Sequence, residues 1–321
     1  MIARGLAGFL FLLLALAVPE ARALPPVPAD SNGDRRSELL WRAVPPATGV
    51  SWWIVNGATV TASAYHEAGQ EWQVAAAADV TGDGKSDLVW RRASDGAAFL
   101  WVLDGTTPTA FVDIGIAGGY QWELAGAGDL DGDGDADLVW RKSDGLVWTW
   151  LMQAGAIASQ QSFLGLDPGW PIRAVADMDG DGKADLVFHQ AITGEVVVWF
   201  MDGQVVRGAS IAGALPPAEW TLAAAADANG DGRADLVWRH ASGDTWVWLM
   251  DGASFVSGAS LGNPGTAWSI RAVGDFDGDG KADLVWRHAD GSLYFWKLDG
   301  AAVSAMQPLP DPGAAWELTG P

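Results

Sequence analysis

A chain that repeats one pattern every 48 to 50 residues has few folds open to it. Here the pattern is Asp79-Val80-Thr81-Gly82-Asp83-Gly84-Lys85-Ser86-Asp87-Leu88-Val89-Trp90-Arg91. It returns over residues 129–141, 177–189, 227–239 and 275–287, with a looser copy over 30–42. Successive first aspartates stand 49, 50, 48, 50 and 48 residues apart. That length suits a four-stranded propeller blade and is far too long for a rung of a β-helix.

Each unit divides into strands. One opens at a tryptophan seven residues before the loop, at Trp72, Trp122, Trp170, Trp220 and Trp268. The Asp/Gly loop follows, then a strand reading Asp-Leu-Val-Trp-Arg. After a Ser-Asp-Gly type of turn comes a third strand ending Trp-x-Leu/Met-Asp-Gly, as over 101–105, 199–203 and 248–252. A weaker fourth strand, such as 111–114, completes the blade. No stretch has the 3.6-residue period of a long amphipathic helix, so the class is all-β.

The ends complement each other. The first unit has a loop but no tryptophan strand before it, whereas Trp316-Glu317-Leu318 is such a strand, 48 residues after Trp268, with no loop behind it. Pairing the C-terminal strand into the N-terminal blade closes a ring and removes the open sheet edge. Six blades are expected; seven is the alternative.

Repeat position accounts for 17 of the 20 tryptophans, which are read as filling the wedges between blades. Trp52, Trp148 and Trp246 fall outside the register, and alternation along a strand turns Trp52 to the face opposite Trp53. A ring of arginines, Arg42, Arg91, Arg141, Arg239 and Arg287, follows the second-strand aromatic residue. Pairing with nearby Asp is the expected use of these arginines, and a glycan-binding face the alternative.

Side-chain oxygens fall at loop positions 1, 3, 5 and 9, with glycine at 4 and usually at 6. Calcium takes six to eight hard oxygen ligands, and alternating Asp/Asn on a tight turn can converge on it. The expected ligands are Asp79, Thr81, Asp83 and Asp87; Asp129, Asp131, Asp133 and Asp137; Asp177, Asp179, Asp181 and Asp185; Asp227, Asn229, Asp231 and Asp235; and Asp275, Asp277, Asp279 and Asp283. The first loop offers Asp30, Asn32, Asp34 and Glu38 but has Arg35 where the others have glycine, and so fits least well. Position 7 adds a backbone carbonyl, from Arg36, Lys85, Asp135, Lys183, Arg233 and Lys281. The bidentate Glu that ends an EF-hand loop is replaced by an aromatic residue, so no flanking helices are expected. Up to six calcium ions follow, in loops 30–38, 79–87, 129–137, 177–185, 227–235 and 275–283.

Charge agrees with this assignment. The loops hold 22 of the 40 carboxylates, and the remaining 18 nearly match the 19 Lys and Arg of a chain whose net charge is −21. Like charges so clustered repel unless a cation neutralises them.

These units resemble the FG-GAP/VCBS repeats of integrin-type propellers over residues 28–321. The resemblance implies a calcium loop between two strands of each blade, on the positions just named. The chain departs from that family in carrying Trp and Trp-Arg where Phe-Gly and Gly-Ala-Pro flanks are expected, and blade four departs further with Phe188-His189.

Arg4, the apolar run 6–18 and the small-x-small triplet Ala21-Arg22-Ala23 read as a signal peptide over 1–23, leaving a single propeller domain over 24–321. The mature chain is expected to be secreted or periplasmic, with no membrane span. There is no cysteine, which excludes disulfides, a thiol nucleophile and a Cys-zinc site. No HExxH, GxSxG or P-loop motif is present, and the clustered carboxylates are committed to calcium. The expected function is a monomeric, non-enzymatic scaffold for an extracellular protein. A lectin-like glycan binder is the alternative, and a polysaccharide lyase or hydrolase a remoter one. An acidic surface without a basic stripe disfavours nucleic acid.

Overall fold

The computed structural model describes residues 30–119 and 121–319. The expected leader lies outside them. The described residues form six four-stranded antiparallel sheets. Blade two shows the plan: an inner strand Trp72–Ala78, then Asp87–Arg92, Ala97–Asp104 and the outer strand Thr107–Ile116. Blade one takes Leu39–Ala43, Val50–Asn56 and Thr59–His66 from the N-terminal side and Trp316–Leu318 as its inner strand. The closing register pairs Trp41 with Leu318, Arg42 with Glu317 and Ala43 with Trp316. The fold is thus the six-bladed propeller closed by its C-terminal strand.

Each strand's composition follows from its distance to the axis. Inner strands converge on a central cavity of about 640 Å³, and only small side chains fit there. A Cβ added at Gly126 would lie 2.7 Å from Val175, and one at Gly128 would lie 2.8 Å from Ala184. The second strands are buried on both faces, which is why Asp-Leu-Val-Trp-Arg reads as one continuous run. The outer strands are mostly exposed, so their apolar alternation is weak although several span eight to ten residues.

The core lies between blades. Trp41, Trp90, Trp140, Trp238 and Trp286 are fully buried. Each stacks, tilted, on the third-strand tryptophan of its own blade at 4.7–5.3 Å, and Phe188 does the same with Trp199 at 4.9 Å. These pairs fill wedges against the preceding blade, as Trp140 and Trp150 do against Val89 and Leu100. Trp52 packs in one interblade cluster and Trp53 in another, as alternation requires.

The arginines correct an expectation. They bind main-chain carbonyls that lead into the next blade, not nearby aspartates. Arg42 donates to Gly49, Ala68, Gly69 and Trp72 carbonyls at 2.5–3.1 Å. Arg141 reaches Gly145, Leu166 and Asp167 at 2.6–3.1 Å. Arg91 reaches Gly119 and Trp122, Arg239 reaches Gly243, Gly265 and Trp268, and Arg287 reaches Trp316 at 2.6 Å. Four of the five also lie over the next blade's buried aromatic ring at 5.0–5.9 Å. In blade four His189 takes the part, its Nε2 3.1 Å from the Leu215 carbonyl and its ring edge-on to Trp238. The irregularity of that blade is therefore used in packing.

Arg239→Ala removes the guanidinium from the Trp268 and Gly265 carbonyls, leaving Gly265 only the Trp268 amide at 3.3 Å, and is expected to cost about 2–3 kcal/mol in denaturant unfolding. Arg239→Lys should recover only part, because a single ammonium cannot reproduce the planar fork.

Candidate metal centres

Each Asp/Gly loop leads into the second strand of its blade and is folded by its own carboxylates. In loop three, Asp129 accepts the amides of Gly132 (2.6 Å) and Gly134 (2.9 Å), while Asp131 accepts Asp133 (3.2 Å) and Asp133 accepts Asp135 (2.9 Å). These short Asx-type turns curl the backbone so that alternate side chains face one centre. The curl needs a left-handed residue at position 6, where glycine has φ between 81° and 97°. Arg35 adopts φ 65° at that place in loop one. Loop one therefore closes like the others, at a strain of about 1 kcal/mol.

Position 9 closes the loop from below. Asp137 is fully buried and accepts the amides of Leu130 and Met152, both at 2.8 Å. Asp87, Asp185, Asp235 and Asp283 repeat this with a loop amide and a third-strand amide. Burial pushes these carboxyls up, to about 6 in Asp87, Asp185 and Asp235, about 7 in Asp137, and about 8 in Asp283 and in Glu38 of loop one. Neighbouring loop aspartates push in the same direction.

Among the described residues, three carboxylates come within 4.8 Å of one another in four loops. The trios are Asp30, Asp34 and Glu38; Asp129, Asp131 and Asp137; Asp177, Asp179 and Asp185; and Asp275, Asp277 and Asp279. Loops two and five place Thr81 and Asn229 at position 3, so their third oxygen is neutral. Glu38 Oε1 and Asp179 Oδ1 are buried with no hydrogen-bond partner. Oxygen-only donors, clustered charge and uncompensated buried oxygens fit a hard divalent cation such as calcium.

The loops are also joined. Ala136 N donates to Asp79 O in the preceding loop at 2.6 Å, and the same bond recurs from Ser86, Ala184, Ala234, Ala282 and Ser37 to Asp30, Asp129, Asp177, Asp227 and Asp275. The last of these runs from blade one to blade six, so six backbone bonds close a ring on one face. A second set runs from the turn glycine between the third and outer strands to the preceding loop, as from Gly203 N to Leu130 O at 2.7 Å.

A family model described as the FG-GAP-like repeat matches residues 79–140, 129–188, 177–238 and 227–286. The chain belongs to this family. No curated protein matches its sequence. Among solved structures, the propeller is similar to a chain of a nidogen/laminin complex, with TM-score 0.56 and 15% identity over 85% of this chain and 93% of that one. It is also similar to the Tc holotoxin pore of Photorhabdus luminescens, with TM-score 0.53 and 17% identity over 88% of this chain. There it spans only 16% of the toxin chain. At such identities the likeness is one of fold.

Within these FG-GAP-like repeats, position 7 does more than offer a carbonyl. Lys85, Lys183, Arg233 and Lys281 pair with the aspartate of their blade's Asp-Gly turn: Asp104, Asp202, Asp251 and Asp299. Their stems lie against the position-4 glycine of the preceding loop: a Cβ there would crowd Lys183 at 3.3 Å and Arg233 at 3.1 Å, and would only touch Lys281 at 3.4 Å and Lys85 at 3.6 Å. Arg36 and Arg233 also donate to the carbonyls of Asp277 and Asp179 in that loop, at 3.2 and 3.3 Å. In blade three Asp135 accepts Ala154 N at 2.5 Å, and the turn has Gln153 in place of Asp. Blade three loses both the position-7 cation and the turn aspartate, whereas blade one keeps Arg36 although its turn has Asn56.

Proposed function

We propose that this FG-GAP-like propeller is an exported, calcium-binding scaffold that docks an extracellular protein. The observation that carries the reading is the closed ring of six acidic loops on one face, each folded by its own carboxylates and bonded to the next. Calcium in those loops would lock the face, leaving a rigid ring for a partner. A propeller of this size in a nidogen/laminin complex supports the scaffold class. The two features that suggested a glycan ligand, the tryptophans and the arginine ring, are largely engaged inside the fold. Exposed apolar residues on the outer strands, among them Phe111, Ile211, Phe255 and Met306, suit a protein partner better.

The test is capture from exported protein fractions on immobilised propeller, in calcium and in EGTA, alongside a glycan array. The reading predicts a protein retained in calcium and released by EGTA. Saturable binding to one glycan class, with no protein retained, would overturn it.

A further inference from the structure

The six loops are not equivalent, and the difference lies in two side chains that the repeat does not call for. In loop four, Arg207 Nη2 sits 2.7 Å from Asp179 Oδ2 and 2.6 Å from Asp181 Oδ2. In loop six, Lys297 Nζ pairs with Asp277 Oδ2 and lies 2.9 Å from Asp279 Oδ2. In both, one cationic nitrogen bridges the carboxylates of positions 3 and 5, the oxygens a calcium ion would share. The cations come from different places. Arg207 is on the outer strand, at the bulge where Ser304, Thr109 and Thr61 stand in other blades. Lys297 is on the third strand, where the other blades carry Ile54, Val102, Leu151, Phe200 and Leu249. Two unrelated positions thus supply the same contact. Among the described residues, no ion pair joins another strand's cation to these carboxylates in loops one, two, three or five; Arg36 reaches Asp34 at 3.4 Å from within its own loop.

Resting on the calcium reading above, we propose that Arg207 and Lys297 are built-in counter-ions that compete with calcium, so that loops four and six bind it more weakly than loops two, three and five. A monovalent side chain satisfies such a loop only in part: Asp179 Oδ1 stays buried without a hydrogen-bond partner although Arg207 holds Oδ2. Calcium must displace the side chain, and both are partly exposed and long enough to swing into solvent. The ring then has loops that fill at low calcium and two that fill only when calcium is higher.

The test is a calcium titration of chelator-stripped protein by calorimetry. It compares wild type with Arg207→Thr/Lys297→Leu, which installs residues that other blades carry at these places. Arg92→Gln serves as the charge control, since Arg92 pairs with exposed Asp95. Wild type is expected to show two sites about tenfold weaker than the rest, which join the tight class in the double variant and not in the control. The double variant should also melt below wild type in EGTA and above it in calcium, a crossover that loss of a merely structural contact does not give. Superimposable isotherms, a gain equal to that of Arg92→Gln, or lower melting in both conditions would overturn the proposal. Absence of calcium uptake by every variant would bring down the calcium reading itself, and the proposal with it.

Discussion

Ending the chain at Ala315 is expected to lower the melting temperature by roughly 8 °C or more and to cause aggregation. Only the last six residues are lost, 316–321. Yet Leu318 is buried in one cluster with Leu39, Trp41 and Leu293, and Trp316 packs against it. The backbone bonds from Val44 to Ala315 (2.8 Å) and from Thr319 to Leu40 (2.9 Å) extend the same ladder. Arg287, which lies over Trp41 at 5.7 Å, has its acceptor in the Trp316 carbonyl. Removing the strand therefore exposes an apolar sheet edge and unties blade six from blade one, at a cost of about 4 kcal/mol or more. Glu317→Ala, on the exposed face of that strand, should leave the melt almost unchanged. Thermal melts and gel filtration check both. A truncated chain that stays monomeric and melts within a degree or two of the parent would show that this strand does not lock the ring.

Calcium withdrawal is expected to destabilise the protein further, and more so as pH rises. A ligand that binds only the folded state adds about 2.7 kcal/mol per site at a hundredfold excess over its Kd. Without calcium, the position-nine carboxyls titrate higher in the fold, at about 6 to 8, than in the unfolded chain. A raised carboxyl favours the fold while protonated, and that contribution is lost as pH climbs through the folded value. Melts in EGTA should therefore fall between pH 5 and pH 8. Calcium favours the ionised carboxylates, so the gap between calcium and EGTA melts should widen over the same range. The exposed carboxyls held near 2, such as Asp95 and Asp290, are ionised throughout and do not alter the trend. A gap that is constant with pH would contradict this coupling.

The blades were legible because the repeat places a tryptophan, an acidic loop and Asp-Leu-Val-Trp-Arg at fixed intervals, and each has one structural use. The outer strands were faint because exposure on both faces removes the alternation that marks a strand. Arg42 and Arg239 were misread for a different reason. Their acceptors are carbonyls about 26 to 30 residues downstream, which no side-chain pattern announces. Loop one keeps the backbone shape of the other loops with Arg35 at position 6, since glycine is favoured at positive φ but is not the only residue that can be held there. Arg207 and Lys297 are visible in the sequence only once strand register says which positions are equivalent.

The central claim, that these loops are calcium sites, is tested most directly by calcium uptake. Chelator-stripped protein should be dialysed to equilibrium against calcium and the bound ion counted. The account predicts saturable uptake of up to six ions per chain, reduced by one when Asp131 and Asp133 of loop three are both changed to Ala. Protein that holds no calcium above background at millimolar concentration, while folded, would contradict it.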